Sequence, residues 1–169
     1  MKPLLASLLV LFGCGSFSQI MSQELSSPAF TKTVNGLLKQ TVPLMTVKEL
    51  AARQDEVVIL DSRPEEEHEV SEIKGASRVG YRDFDPEKVK DLPKDKPVVV
   101  YCSVGYRSER IGEKLQALGF QEVYNLYGGI FEWFNEGLPV FDPEDGTEVD
   151  KVHPYDRDWG QWVEPRTKD

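Results

Sequence analysis

Apolar and polar positions along this chain fall into short blocks whose period changes from one block to the next. Val57-Val58-Ile59-Leu60 and Val98-Val99-Val100-Tyr101 are continuous apolar runs without an alternating polar face, the pattern of strands buried on both sides. Ala76 to Val79 and Val123 to Leu126 predict two further strands. Between them the spacing turns helical. Phe30, Val34, Leu37 and Leu38 predict a short helix, and Thr46-Val47-Lys48-Glu49 has the form of a capping box opening another that runs to about Arg53. Pro64 with Glu65, Glu66 and Glu67 suits a helix first turn, where proline is tolerated and acids favour the dipole. Pro86 to Val89 reads as a short helix. Ile111, Leu115 and Leu118 share a face in a helix stopped by Gly119. Gly128-Gly129 marks a tight turn before an aromatic-rich helix from Ile130 to Asn135, and Gly137-Leu138-Pro139-Val140 closes the globule. Strands alternating with helices predict an α/β fold with a central parallel sheet flanked by helices.

The two ends depart from this pattern. Lys2 followed by the apolar stretch Leu4 to Phe12 is too short to span a bilayer and reads as an export signal over residues 1–18. Two processing outcomes fit. Leu11-Phe12-Gly13-Cys14 resembles a bacterial lipoprotein box, with Cys14 lipidated as the anchor. Ser16-Phe17-Ser18 offers an ordinary cleavage site instead. The expectation is an exported protein, either periplasmic or anchored to a membrane through lipidated Cys14. Residues 19–42 read as a tether with a short helix, 43–141 as the domain, and 142–169 as an acidic linker with an aromatic tail. Asp142 to Asp150 is expected to be solvated. Tyr155, Trp159 and Trp162 suggest that the tail packs back on the domain, or else docks a partner.

The 169 residues suffice for one domain with its own core, and 40% hydrophobic content is ordinary for a globular protein. A net charge of −9 argues against nucleic acid and against an anionic membrane surface as partners. The chain has two cysteines. Removing or acylating Cys14 leaves Cys102 as a lone thiol in an oxidising compartment, which invites a reactive role.

Cys102 sits between the second apolar run and a helix, in Cys102-Ser103-Val104-Gly105-Tyr106-Arg107-Ser108. A strand-to-helix turn gathers backbone N–H groups that bind oxyanions and stabilise a thiolate. Gly105 permits a backbone conformation that other residues resist. His68 and His153 lack metal-ligand spacing and are read as surface residues, so no metal is expected; no cofactor is expected either. Trp133 reads as core.

Taken together, the chain resembles the rhodanese-like sulfurtransferases. The matching elements are Asp61-Ser62-Arg63, Glu67, Ile73-Lys74-Gly75-Ala76, the Cys102–Ser108 loop, Tyr127-Gly128-Gly129-Ile130 with Trp133, and Gly137-Leu138-Pro139-Val140. They span about residues 43 to 141. Ser71-Glu72 stands where members often carry Gly-His. The resemblance implies a rhodanese-like domain and a two-step reaction. Cys102 takes the outer sulfur of a small anionic donor of the thiosulfate type as a persulfide, then passes it to a thiol or cyanide acceptor, or to a protein. Arg107 and the backbone from Ser103 through Val104, Gly105, Tyr106 and Ser108 are expected to bind substrate. By the same resemblance Asp61, Arg63 and Glu67 brace the site, with Arg63 pairing Glu67. Tyr106 and Arg110 are candidates for the pocket entrance. Four residues separate Cys102 from Arg107, against the five of cysteine phosphatases, so the smaller ring favours sulfane sulfur over phosphate. The alternative is a non-catalytic or carrier module that docks a protein partner through its tail.

Overall fold

The computed structural model describes residues 23–166, so the signal over residues 1–18, including Cys14, lies outside the described residues. Among the described residues the first element is α1 (Pro28–Leu37), which starts ahead of Phe30 because Ser27 caps it, its Oγ accepting the Phe30 N–H at 3.2 Å. After β1 (Leu44–Met45), the expected capping box opens α2 (Val47–Arg53). Thr46 Oγ1 accepts the Glu49 N–H at 3.2 Å, and the Glu49 carboxylate accepts the Thr46 N–H at 2.9 Å. Then follow β2 (Val58–Asp61), α3 (Glu65–His68), β3 (Ala76–Arg78), β4 (Val98–Tyr101), α4 (Tyr106–Ala117), β5 (Val123–Leu126) and α5 (Gly129–Asn135). A small hairpin, β6 (Val140–Phe141) and β7 (Glu148–Val149), comes out of the acidic stretch. Its residues from Glu144 to Glu148 are exposed, as a solvated segment should be.

Strands β1 to β5 form one parallel sheet in the order β1-β5-β4-β2-β3. Central β4 is buried at every position, which is why its sequence shows no alternation. Its side chains divide by the period of 2. Val98 and Val100 join Leu60, Ile111 and Leu115 on one face, while Val99 and Tyr101 join Leu50, Phe131 and Trp133 on the other. Each such buried aliphatic side chain contributes roughly 1.5–3 kcal/mol over leaving it in water. Trp133 is core, its indole N–H donating to the Pro139 carbonyl at 2.8 Å.

Packing extends beyond residues 43–141 on both sides. Phe30 and Val34 of α1 are buried against the same face as Trp133. The tail folds back over them, with Trp162 stacked on Phe30 at 5.5 Å between ring centroids. Tyr127 donates to Asn35 at 2.7 Å, and Asn135 donates to the Trp162 carbonyl at 2.8 Å, tying both ends to the domain.

After β2 the chain leaves toward β3, and after β4 it leaves toward β5. The carboxyl ends of β2 and β4, paired at Asp61 and Tyr101, are therefore where the connections diverge and a crevice opens. Cys102 is the next residue after β4.

Candidate active site

Two glycines shape the turn that carries Cys102. Gly105 has φ +116° and is the cap residue of α4, so the helix begins at Tyr106, well before the apolar face that marks it in sequence. Gly129 has φ +60°, and a Cβ there would lie 2.6 Å from the Ser103 carbonyl oxygen. No other residue fits. That close approach lets α5 hold the loop, since Ile130 N–H donates to Cys102 O at 2.9 Å and Phe131 N–H to Ser103 O at 3.1 Å. With its carbonyls turned toward α5, the loop aims N–H groups the other way, at the sulfur.

Cys102 Sγ accepts the Gly105 N–H at 3.1 Å and is also served by the Ser108 N–H. Ser108 Oγ lies 3.5 Å from Sγ and 2.7 Å from Asn125 Oδ1, so its single proton has two acceptors. Asn125 in turn donates to the Gly105 carbonyl at 3.0 Å and fixes the turn from beneath. Burial pushes the thiol pKa up, but the Arg107 charge and the hydrogen bonds from Ser108 and Gly105 outweigh it and hold Cys102 below an ordinary thiol. The thiolate is the favoured nucleophile at this position.

Arg107 reaches its position through Glu67. Its guanidinium makes a two-pronged contact with that carboxylate, at 2.6 Å and 2.7 Å, and donates to Ser103 Oγ at 2.8 Å. Ser103 Oγ donates to Glu67 at 2.8 Å. Glu67 is buried, so a charge-neutral Arg107–Glu67–Ser103 cluster stands beside the sulfur. This corrects the pairing of Arg63 with the Glu67 carboxylate. Arg63 reaches Glu67 only at its backbone carbonyl, at 3.2 Å, and its carboxylate partner is Asp61 at 2.6 Å.

Asp61 and Arg63 are wholly buried, and with Tyr101 they form the brace under the loop. Tyr101 donates to Asp61 at 2.9 Å and accepts the Ile73 N–H at 3.3 Å. Burial would raise the Asp61 pKa, yet the Arg63 charge and hydrogen bonds from His68 and Arg63 hold it well below the usual carboxylate range. His68 is accordingly not a surface residue. Its Nδ1 lies 3.0 Å from Asp61, and its side chain is 13% exposed. Ser71, where family members often carry glycine, is buried and accepts from Arg63 through its carbonyl at 2.6 Å.

Above the sulfur is a cavity of about 170 Å³ with Cys102 on its floor. Leu37 from α1, Val104 and Tyr106 from the loop, and Tyr155 and Trp159 from the tail surround it. Tyr155 also covers Arg107, with 5.0 Å from the guanidinium carbon to the ring centroid. Arg110 does not line this cavity but lies over the Tyr106 ring, 5.4 Å from its guanidinium carbon to the centroid, and pairs with Glu113 at 2.8 Å. Sequence reasoning placed Cys102, Ser103, Val104, Gly105, Tyr106, Arg107 and Ser108 together, and they are together. It missed Asn125, whose signal was a polar residue inside an apolar strand, and it missed Leu37, Tyr155 and Trp159. Among the described residues no cluster of three or more His, Cys, Asp or Glu side chains could hold a metal ion, and no helix is long and apolar enough to cross a membrane.

The Rhodanese-like domain family matches residues 46–136, more than half of the chain. The chain belongs to the rhodanese-like family. It is 38% identical over 114 residues to a tRNA uridine(34) hydroxylase of Cytophaga hutchinsonii, covering 60% of this chain and 36% of that protein. It is 42% identical over 59 residues to a sulfurtransferase of Allochromatium vinosum, covering 35% of this chain and 55% of that protein. Among solved structures, a rhodanese-related protein from Thermoplasma volcanium matches with a TM-score of 0.53 at 30% identity, over 57% of this chain and 95% of that one. The chain thus spans less than two thirds of both curated relatives. Leu37, Tyr155 and Trp159 lie outside the family match.

Proposed function

We propose that this protein is a sulfurtransferase in which Cys102 carries sulfane sulfur from a donor of the thiosulfate type to a thiol or cyanide acceptor. The observation that carries the reading is Cys102 lining a cavity, with its Sγ accepting backbone N–H groups beside a fixed guanidinium. With thiosulfate, the Cys102 thiolate attacks the outer sulfur. A bond forms from Sγ to that sulfur, the donor S–S bond breaks, and its electron pair leaves with sulfite. The N–H groups of Gly105 and Ser108 then stabilise the anionic persulfide as they did the thiolate. An acceptor thiolate or cyanide attacks the terminal sulfur and regenerates Cys102. Arg107 lowers the thiol pKa, and Glu67 and Ser103 fix its orientation.

The hydroxylase activity named for several relatives is not carried over. The matched stretch is about a third of the Cytophaga protein, and a net charge of −9 opposes RNA binding. Export, with Cys14 as a lipid anchor, belongs to the same proposal; Cys14→Ala is expected to release the protein from membranes, and unchanged membrane association would contradict the anchor.

The test is to incubate purified protein with thiosulfate and cyanide and measure thiocyanate. Turnover in the native protein that vanishes in Cys102→Ser is the expected result. Turnover that survives this substitution rules the proposal out, and a stable Cys102 persulfide without thiocyanate would assign a carrier instead.

A further inference from the structure

The Ser108 hydroxyl and the Asn125 carboxamide are wholly buried polar groups that the two steps of sulfur transfer, as written above, leave without a task. An asparagine inside an apolar strand costs free energy unless its polar atoms are paired, so its partners are informative. Asn125 stands in β5 between β1 and β4, opposite Leu44 and Val100, and its backbone N–H donates to the Pro43 carbonyl at 2.8 Å. The side chain therefore works from a fixed point in the sheet. Its Nδ2 donates to the Gly105 carbonyl at 3.0 Å, which leaves Oδ1 to face Ser108.

The Ser108 oxygen lies 2.7 Å from Asn125 Oδ1 and 3.5 Å from Cys102 Sγ, a length at which a large sulfur atom still accepts. Rotation about the Cβ–Oγ bond alone carries the O–H from one acceptor to the other, and no heavy atom has to shift. The two states of the nucleophile favour different rotations. As a thiolate, Sγ holds the negative charge, and hydrogen bonds to an ionised acceptor are the stronger kind. In the persulfide the charge lies on the terminal sulfur and Sγ is a neutral bridging atom, a weak acceptor. A buried hydroxyl left without a good acceptor is penalised, and the Asn125 amide oxygen supplies one in that state.

We propose that Asn125 is a positioning residue for sulfur transfer, accepting the Ser108 hydroxyl while Cys102 is a persulfide and yielding it to Sγ as the thiolate returns. The proposal rests on the sulfur-transfer reading and adds to it a residue outside the cysteine loop. In discharge, an acceptor thiolate forms a bond to the terminal sulfur, the Sγ–S bond breaks, and its electron pair stays on Sγ. The hydroxyl turns toward that growing charge. Ser108 keeps its proton throughout, so only a hydrogen bond changes partner. In loading, Sγ shares its electron pair with the incoming sulfur and the hydroxyl turns back to Asn125.

The experiment is a double-mutant cycle on the full chain with Asn125→Leu, Ser108→Ala and both together. Its first readout is the pH midpoint of Cys102 alkylation by iodoacetamide. The charged and titratable groups beside the sulfur, Arg107 of α4 with Glu67 of α3 behind it and Tyr155 of the tail, are the same in all four proteins. Ser108→Ala is expected to raise the midpoint, because the thiolate loses a donor. Asn125→Leu is expected to lower it, because the hydroxyl then has Sγ to itself. In the Ser108→Ala background the same substitution should give no such drop. The two shifts should differ by ~0.5 pH unit or more, about threefold in the ionisation constant. The second readout is single-turnover loading by thiosulfate and discharge by cyanide. The ratio of discharge rate to loading rate should rise several-fold in Asn125→Leu and stay level when Ser108 is already alanine. Thermal melting checks folding, and Asn125→Ala, which adds no atom, completes the cycle if the leucine variant does not fold. Equal shifts in both backgrounds would show that Asn125 acts only through Gly105 and packing, and would overturn the proposal; so would a midpoint that Asn125→Leu leaves unmoved. Absence of any Cys102 persulfide in the native protein removes the sulfur-transfer reading itself, whichever way the alkylation cycle falls.

Discussion

Around the floor of the Cys102 cavity, buried charges answer one another at hydrogen-bond distance, Arg107 with Glu67 at 2.6 Å and Arg63 with Asp61 at 2.6 Å. The rim, from Leu37, Tyr106, Tyr155 and Trp159, presents apolar and aromatic side chains instead. The floor arises from β2, α3, β4 and the start of α4, within the stretch that matches the family; much of the rim comes from the chain ends, outside it. The difference separates two tasks. A thiolate in a buried place needs fixed donors and a fixed cation, which tolerate little change. Selection among donors needs only a shaped apolar wall, which can be varied without disturbing the nucleophile.

The comparison is broken most severely at Asp61. Asp61→Ala strands a buried guanidinium and is expected to cost ~3–5 kcal/mol of stability in urea unfolding. The sign with pH follows from the lowered pKa of Asp61. Its contribution is complete above its unfolded value of ~4 and is lost as pH falls through the lower folded value, so the gap between native protein and variant should close in strong acid. A variant as stable as the native protein at neutral pH would show that this brace does not hold the floor.

Arg107→Ala acts next, and on the sulfur. It removes the nearby positive charge and leaves Glu67 unpaired, so the Cys102 pKa is expected to rise by ~1 unit or more. Alkylation by iodoacetamide requires the thiolate, so its rate rises with pH. In the native protein the midpoint should lie below the ordinary thiol value of ~8.5, and in the variant above the native midpoint. Coincident profiles would separate Arg107 from the nucleophile. Trp162→Ala affects only the rim. Losing the stack on Phe30 is expected to cost ~1 kcal/mol, read by urea unfolding, without moving the alkylation midpoint. A shifted midpoint in this variant would mean that floor and rim are not independent.

Much of the fold was legible because its signals are local. The continuous run Val98–Tyr101 reflects burial on both faces, and the Thr46–Glu49 capping box forms within one helical turn. The cysteine loop was legible for a similar reason, since Gly105 and Arg107 act on a sulfur only a few residues away. Pairings across the chain were not. Glu67 is an acid on a short helix until Arg107, 40 residues on, identifies its partner. His68 resembled a surface histidine because Asp61 becomes its neighbour only when β2 and α3 are folded together. Asn125 depends on Ser108 and Gly105 in the same way. The β6–β7 hairpin is only 2 residues on each side and carries too few apolar positions to show a period.

The most direct test is the intact mass of the full chain after exposure to thiosulfate. Gain of a single sulfur atom at Cys102, discharged by cyanide and absent in Cys102→Ser, is the result predicted here. A mass that never changes, in protein whose Cys102 still reacts with iodoacetamide, would contradict sulfur transfer at this site.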